Sequence, residues 1–244
     1  MPGRSRSIAT RRILGLVLAL VCAVASAAVT VSPAAAGNRG PGFVDPRTNV
    51  TLYRSLSAHW WQWAFSTPDT PGGPFGKDRV DCTVNQGVNQ PPHHVLFLAG
   101  PFALTGTVHR TCTRTVERGT RIFLPVINTE CSDREDRPFF GATPGQRRAC
   151  VQNSLFDARG LSASVDRQPI PVSQAKFSIV SRDFRFTSVP GNPAIGRAVP
   201  GHSTSRGVWL LLEPLPIGEH TIRFAGSYPN ADFSLSVTYC LTVA

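Results

Sequence analysis

The strongest pattern in the chain is Phe233-Ser234-Leu235-Ser236-Val237-Thr238-Tyr239-Cys240-Leu241-Thr242-Val243, in which apolar and polar residues alternate. Successive side chains of a strand point to opposite faces of its sheet, so this alternation buries one face and leaves the other in water. The segment His220-Thr221-Ile222-Arg223-Phe224 repeats the pattern. Both segments are therefore predicted to be strands of a sheet with one buried face.

Short apolar or alternating runs continue this pattern upstream, from residue 79 onward, and breaks rich in Gly, Pro and Asn separate them. The runs are Val80–Val84, Val95–Ala99, Thr107–Val116, Thr120–Ile127, Leu161–Val165, Pro169–Val172, Lys176–Arg182, Phe184–Val189 and Val208–Glu213. Many short strands at this spacing predict a mostly β protein. We expect residues 51–244 to form a single antiparallel β-sandwich domain.

One N-terminal helix is predicted before these strands, over residues 51–65. Leu52, Leu56, Trp60 and Trp63 fall at helical spacing, and Thr67-Pro68 ends the pattern. A second, short helix is expected over residues 146–157. Residues 37–50, rich in Gly, Pro and polar side chains, are expected to be a flexible lead-in.

Residues 1–36 have the order of a secretory signal peptide: an arginine-rich head, the apolar run Ile13–Ala25 and small residues around two candidate cleavage sites. The apolar run is shorter than the roughly 20 residues of a membrane span. The sequence therefore predicts a secreted, extracellular protein with no membrane span after cleavage. Arg11-Arg12 leaves a twin-arginine export route open beside the general one.

Charge and composition exclude some partners. Cleavage after Ala36 lowers the formal net charge from +10 to +6, and the remaining arginines are scattered rather than clustered. Nucleic-acid binding requires a clustered basic surface, so no nucleic-acid partner is expected. A weak attraction to anionic cell-envelope polymers is compatible with the charge.

Five cysteines follow the predicted signal peptide, and cysteines outside the cell usually form disulfides. The nearest-neighbour pairs, Cys82–Cys112 and Cys131–Cys150, are preferred, although the sequence does not fix the connectivity. Cys240 is then left over, and we interpret it as a buried thiol rather than an intermolecular bridge. The chain has no Cys-x-x-Cys spacing, so neither a zinc site nor a redox dithiol is indicated.

The cluster His59-Trp60-Trp61-Gln62-Trp63 is the first candidate binding site. On a helix Trp60 and Trp63 share one side, while Trp61 points about 100° away. The simpler interpretation is that all three rings are core. The alternative is an aromatic platform for glycans formed by Trp61 with the polar tips of His59 and Gln62, which requires an exposed Trp61.

Glu130 is the second candidate, because it follows the apolar run Phe123–Ile127 and adjoins Cys131, whose disulfide would fix its position. Asp133, Glu135 and Asp136 follow within a charged loop. Calcium binds several carboxylates in a flexible loop, but the glycine turn of an EF-hand is missing and a solvated loop is preferred. No metal or other cofactor is therefore expected.

Four segments together resemble a group of secreted bacterial proteins of unknown function: Trp60–Ala64, Leu96–Gly100, Phe123–Cys131 and Pro214–Phe224. The resemblance covers most of residues 50–243. It implies export and one domain, and it implies no activity.

Three functions stay open from the sequence. A non-catalytic extracellular or envelope-associated binding module is preferred, because no known catalytic motif occurs and no catalytic residue is assigned. The alternatives are a secreted hydrolase with an acid–histidine site near Glu130 and His59, and a structural or assembly protein.

Overall fold

Strands dominate the computed structural model, which describes residues 40–70, 73–75, 94–102, 106–153 and 157–244, with the backbone alone for residues 106–113. The helices and strands, in chain order, are α1 (Val50–Phe65), β1 (Val95–Phe97), β2 (Gly106–Val116), β3 (Arg121–Ser132), α2 (Pro144–Asn153), β4 (Arg159–Val165), β5 (Gln168–Ile170), α3 (Gln174–Phe177), β6 (Ser178–Val180), β7 (Phe184–Thr187), β8 (Pro200–Leu212), β9 (Gly218–Tyr228) and β10 (Phe233–Val243).

The strands form two sheets. Sheet A has the order β1-β3-β8-β6, with β7 also paired to β8, and sheet B has the order β2-β10-β9-β4-β5. The predicted class is confirmed: a mostly β, two-sheet sandwich with an N-terminal helix and a disulfide. Two pairs, β1 with β3 and β2 with β10, are parallel. Neither pair is joined by a hairpin, which would have imposed the antiparallel direction of the other pairs.

Sheet A is covered on both faces, which explains the continuous apolar runs in β3 and β8. Ile122 and Leu124 pack against sheet B, in a core that also contains Phe224 and Tyr239. Phe123, between them in sequence, points the other way, into a second core with α1. The order of the layers is therefore α1, sheet A, sheet B.

Sheet B has the alternation that the sequence shows. Leu235, Val237, Tyr239 and Leu241 are buried on β10, while the Ser, Thr and Cys residues between them are partly or fully exposed. This face of sheet B is paired with the apolar face of sheet A, and the opposite face meets water.

Helix α1 is attached to sheet A through polar as well as aromatic contacts. The Trp60 indole N–H donates to the carbonyl of Leu98 at 2.8 Å. The Tyr53 hydroxyl donates to the carbonyl of Val44 at 2.7 Å and accepts from the Leu211 N–H at 3.0 Å. These bonds fix the helix at one position along the sheet.

Residues 40–49, the described part of the predicted lead-in, run beside the end of β8. Phe43 forms an isolated bridge with Leu212, and the Val44 N–H donates to the carbonyl of Leu211 at 2.9 Å. Residues 1–36, the predicted signal peptide, lie outside the described residues.

The Cys131–Cys150 disulfide joins β3 to α2, as predicted. The other predicted pair, Cys82–Cys112, lies outside the part of the chain whose side chains are described. Cys240 lies half-buried on β10. No helix in the described ranges combines the length and apolar character that crossing a lipid bilayer demands.

Candidate functional site

A cavity of about 370 Å³ lies at one edge of β3. Its walls come from α1, the segment after β1, β3 itself, the loop after β3 and the turn between β9 and β10. The lining residues are Trp60, Trp61, Gly100, Pro101, Phe102, Pro125, Ile127, Asn128, Thr129, Glu130, Glu135, Pro138, Phe139, Tyr228, Ala231, Phe233 and Leu235.

The strand pairing explains why space is left here. β1 pairs with β3 only over Arg121–Phe123. Further along, the described residues contribute only an isolated bridge, Ser132 with Phe140, to this edge of β3. A register shift between Pro125 and Ile127 falls in the same stretch. Bulges of this kind re-aim side chains at sheet edges, and β3 here turns Pro125, Ile127 and Asn128 toward one cavity.

Aromatic rings form the wall on the side of α1. The rings of Trp60 and Trp61 are 5.3 Å apart and nearly perpendicular. Phe102 meets Trp61 edge to face at 5.7 Å. Phe139 and Phe233 add rings from the other elements. The surface that a ligand would meet is therefore mostly apolar and rich in π faces.

Glu130 places a buried carboxyl group in this apolar wall. Its side chain is 3% exposed. One oxygen, Oε2, accepts a short hydrogen bond from the Ser203 hydroxyl on the neighbouring strand β8. The other oxygen, Oε1, is buried, and the neighbouring Glu135 carboxyl group is the remaining hydrogen-bond partner that the described residues offer to Glu130. The adjacent disulfide at Cys131 holds this part of β3 in place.

Glu135, in the loop after β3, places a second carboxyl group next to that of Glu130. Its Oε2 accepts a hydrogen bond from the Ser132 hydroxyl at 3.1 Å. Burial raises the pKa of Glu130 well above the ordinary glutamate value, and the neighbouring Glu135 carboxylate raises it further. Burial also raises the pKa of Glu135, while its hydrogen bonds oppose that shift. The pair therefore keeps a proton that an exposed glutamate would release.

Two cavity residues, Trp61 and Asn128, carry buried N–H groups without a hydrogen-bond partner among the described residues: Trp61 Nε1 and Asn128 Nδ2. Buried polar groups in folded proteins are almost always paired, and leaving one unpaired costs about 1–3 kcal/mol. Two unpaired donors around one cavity indicate that something else completes their hydrogen bonds.

The structure brings together two of the four predicted site residues, Trp61 and Glu130. Trp61 is 3% exposed, so it lies in the wall of the cavity and does not present the open platform that a glycan site required. His59 is exposed on α1 and does not line the cavity. Gln62 donates to the carbonyl of Arg185 at 2.7 Å, which ties α1 to β7 instead.

The remaining acids of the charged loop diverge from Glu130. Asp133 accepts a hydrogen bond from the His202 N–H at 2.9 Å and lies 3.7 Å from the Arg134 guanidinium. Asp136 is exposed. Among the described residues, no three His, Cys, Asp or Glu side chains are grouped so that they could hold a metal ion.

Sequence reasoning missed most of the cavity wall. Phe102, Tyr228 and Phe233 come from separate segments, and their sequence surroundings are those of ordinary core or turn residues. Glu135 was noticed only as part of the charged loop. The Ser132-x-x-Glu135 spacing after a disulfide cysteine could have marked Glu135 as an ordered residue. The Ser132 hydroxyl donates to the Glu135 carboxylate and accepts from the Glu135 N–H, which orders the loop.

Glu130 should make the stability of the protein fall with rising pH. The folded protein keeps a proton that the unfolded chain releases above the ordinary glutamate pKa of 4.5. The free energy of unfolding therefore decreases, by up to about 1.4 kcal/mol per pH unit, from that pKa up to the raised pKa of the folded state. Glu130→Gln, neutral at every pH, should flatten this slope when urea unfolding is followed between about pH 5 and pH 8.

The control for this experiment is Glu117→Gln, at an exposed glutamate in the turn between β2 and β3. It should reproduce the wild-type slope. Parallel slopes for wild type and Glu130→Gln would contradict the proton assigned to the buried pair.

Comparisons with known proteins give no family for the chain. No protein-family model matches it, and no curated protein matches it. Solved structures give three weak similarities. PbICP-C, solved in complex with falcipain-2, has a TM-score of 0.27 at 11% identity, over 62% of this chain and 98% of that chain. EhICP2, a cysteine protease inhibitor from Entamoeba histolytica, has a TM-score of 0.20 at 15% identity, over 63% and 100%. The solution structure of Amebosin gives 0.18 at 12% identity, over 57% and 99%. No conclusion about fold or function rests on similarities this weak.

Proposed function

We propose that the chain is a non-catalytic binding module, exported by a bacterial cell, that holds a small and largely apolar ligand in the cavity beside β3. The observation that supports this most strongly is that Trp61 and Asn128, two residues of one cavity, both have unpaired N–H donors. A ligand with an apolar body and a polar end would complete these hydrogen bonds.

The size and lining of the cavity fit this role. Small-molecule sites typically measure about 300–1,000 Å³ and combine apolar walls with a few polar groups that fix orientation. The cavity of about 370 Å³ lies at the lower end of that range. Its polar groups stand on β3, paired with β8, and on α1, bonded to sheet A, so they are held rigidly before any ligand arrives.

Export is part of the proposal. The predicted signal peptide over residues 1–36 supports it. The Cys131–Cys150 disulfide supports it as well, because structural disulfides persist in oxidising compartments.

A hydrolase that uses paired acids is the second candidate. The structure does not place His59 with Glu130 as an acid–histidine site would require, since His59 does not line the cavity. Two carboxyl groups that keep a proton between them are, however, the arrangement by which acid pairs perform general acid–base chemistry. The two functions differ in the fate of the ligand, because a binding module releases it unchanged.

Blocking the cavity tests the proposed function. Ala231 lines it from the short turn Pro229–Ala231 and is partly exposed, so Ala231→Trp can fill the space from its mouth. Phenylnaphthylamine, a neutral dye that fluoresces in apolar surroundings, should bind wild type saturably and the variant about tenfold more weakly, or about 1.4 kcal/mol less favourably.

The matched control is Ala175→Trp, at an exposed alanine of α3 outside the cavity, and it should bind the dye as wild type does. Equal affinities of all three proteins, or no saturable binding to wild type, would contradict the proposal.

A further inference from the structure

We infer that the ligand of this cavity carries a protonated amine, whose N–H groups bind the carboxyl pair Glu130–Glu135; the inference rests on the proposed function. The charges around the cavity and the aromatic rings of its wall support it separately.

The charges that face the cavity have one sign. Its described lining residues include the acids Glu130 and Glu135 and contain no Arg, Lys or His. Asp136, beside Glu135, adds to the negative potential. The nearest basic residue in sequence, Arg134, is occupied by the carbonyl of Pro200 at 2.7 Å and by Asp133. In a chain with a formal net charge of +10, the cavity is therefore a local site of negative charge that no described side chain of its wall compensates. Arg206, outside that wall, acts on Tyr228.

A shared proton only partly relieves this charge. Two adjacent buried carboxyl groups resist ionising together, so one proton remains and about one negative charge is left on the pair. A cation that enters the cavity would compensate that charge and donate hydrogen bonds to the carboxyl pair. A neutral or anionic ligand of the same shape would leave the charge buried and uncompensated, which is unfavourable.

The aromatic wall suits the same ligand. Ammonium groups are attracted to the faces of Trp, Tyr and Phe rings, and the attraction increases when water is excluded. Trp61 stands nearly perpendicular to both Trp60 and Phe102, so this wall presents ring faces and ring edges to the cavity. The apolar body of the ligand would pack on the prolines and the remaining rings. A separate acceptor group on it would receive the hydrogen bonds of Trp61 and Asn128, because a protonated amine has no lone pair to accept them.

Three probes of one shape and different charge separate these effects: phenylpropylamine, phenylpropanol and phenylpropionate. By titration calorimetry at neutral pH, the amine should bind wild type about tenfold more tightly than the alcohol. The anionic acid should bind more weakly than either. The double variant Glu130→Gln/Glu135→Gln should keep the affinity for the alcohol and lose the preference for the amine.

The matched control, Glu117→Gln/Glu219→Gln, changes the net charge equally at two exposed glutamates and should keep the preference. Equal affinities of wild type for amine and alcohol, or an unchanged preference in the cavity double variant, would overturn this inference while the binding module stands. If none of the three probes and no phenylnaphthylamine binds wild type, both proposals fail.

Discussion

Replacing Trp63 with alanine is expected to lower the free energy of unfolding by about 3–5 kcal/mol, the range for truncating a fully buried aromatic side chain. Trp63 is 2% exposed and packs against Phe75 at 5.0 Å and Phe97 at 5.9 Å between ring centroids. Its ring joins α1 to sheet A, and α1 also supplies Trp60 and Trp61 to the cavity. Loss of the ring should therefore weaken dye binding as well as stability.

Chemical denaturation of the purified protein measures the first effect. The control is Leu52→Ala on the same helix. The Leu52 side chain is 36% exposed, so this substitution should change the free energy of unfolding by no more than about 0.5 kcal/mol. Equal losses for the two variants would contradict the docking of α1 through this face.

Asn192→Ala should lower the free energy of unfolding by about 4 kcal/mol, because its buried side-chain amide lies within hydrogen-bond distance of five backbone groups. Its Nδ2 donates to the carbonyls of Ala64, Phe65 and Thr67, which lie at the end of α1. Its Oδ1 accepts from the N–H groups of Ala194 and Ile195. Truncation would leave the buried Thr67 carbonyl and the half-buried N–H groups of Ala194 and Ile195 without this partner, while the carbonyls of Ala64 and Phe65 would keep one backbone hydrogen bond each.

The control for this variant is Asn153→Ala, at an exposed asparagine that ends α2. Thermal and urea unfolding should both separate the two variants. A loss below about 1 kcal/mol at Asn192 would show that water replaces the amide and that the contact does not hold the end of α1.

Strand periodicity predicted the fold well where one sheet face meets water. The alternation in β10 predicted both the strand and its buried side. β3 and β8 were predicted as strands from apolar content, but their coverage on both faces follows from the layer order, which no local pattern contains. Strand periodicity also could not predict the parallel pairs, β1 with β3 and β2 with β10, because these pairs join strands that are not consecutive in the chain.

The site was predicted in part. Glu130 stood out because a carboxylate after an apolar strand and beside a disulfide cysteine is an unusual position, and Trp61 stood out by its helical phase. Phe102 and Tyr228 could not be added to them, since their proximity depends on how the ends of β1 and β9 meet β3. The burial of Trp61, which turns an expected open platform into a cavity wall, also depends on that tertiary packing.

The central claim is that the cavity beside β3 is where this protein holds its ligand. The most direct test is a crystal structure of the wild-type protein with phenylpropylamine. We expect the phenyl ring among Trp60, Trp61 and Phe102, with the nitrogen at hydrogen-bond distance from the Glu130 carboxyl group. A bound amine on another surface, with this cavity filled only by water at saturating ligand, would contradict it.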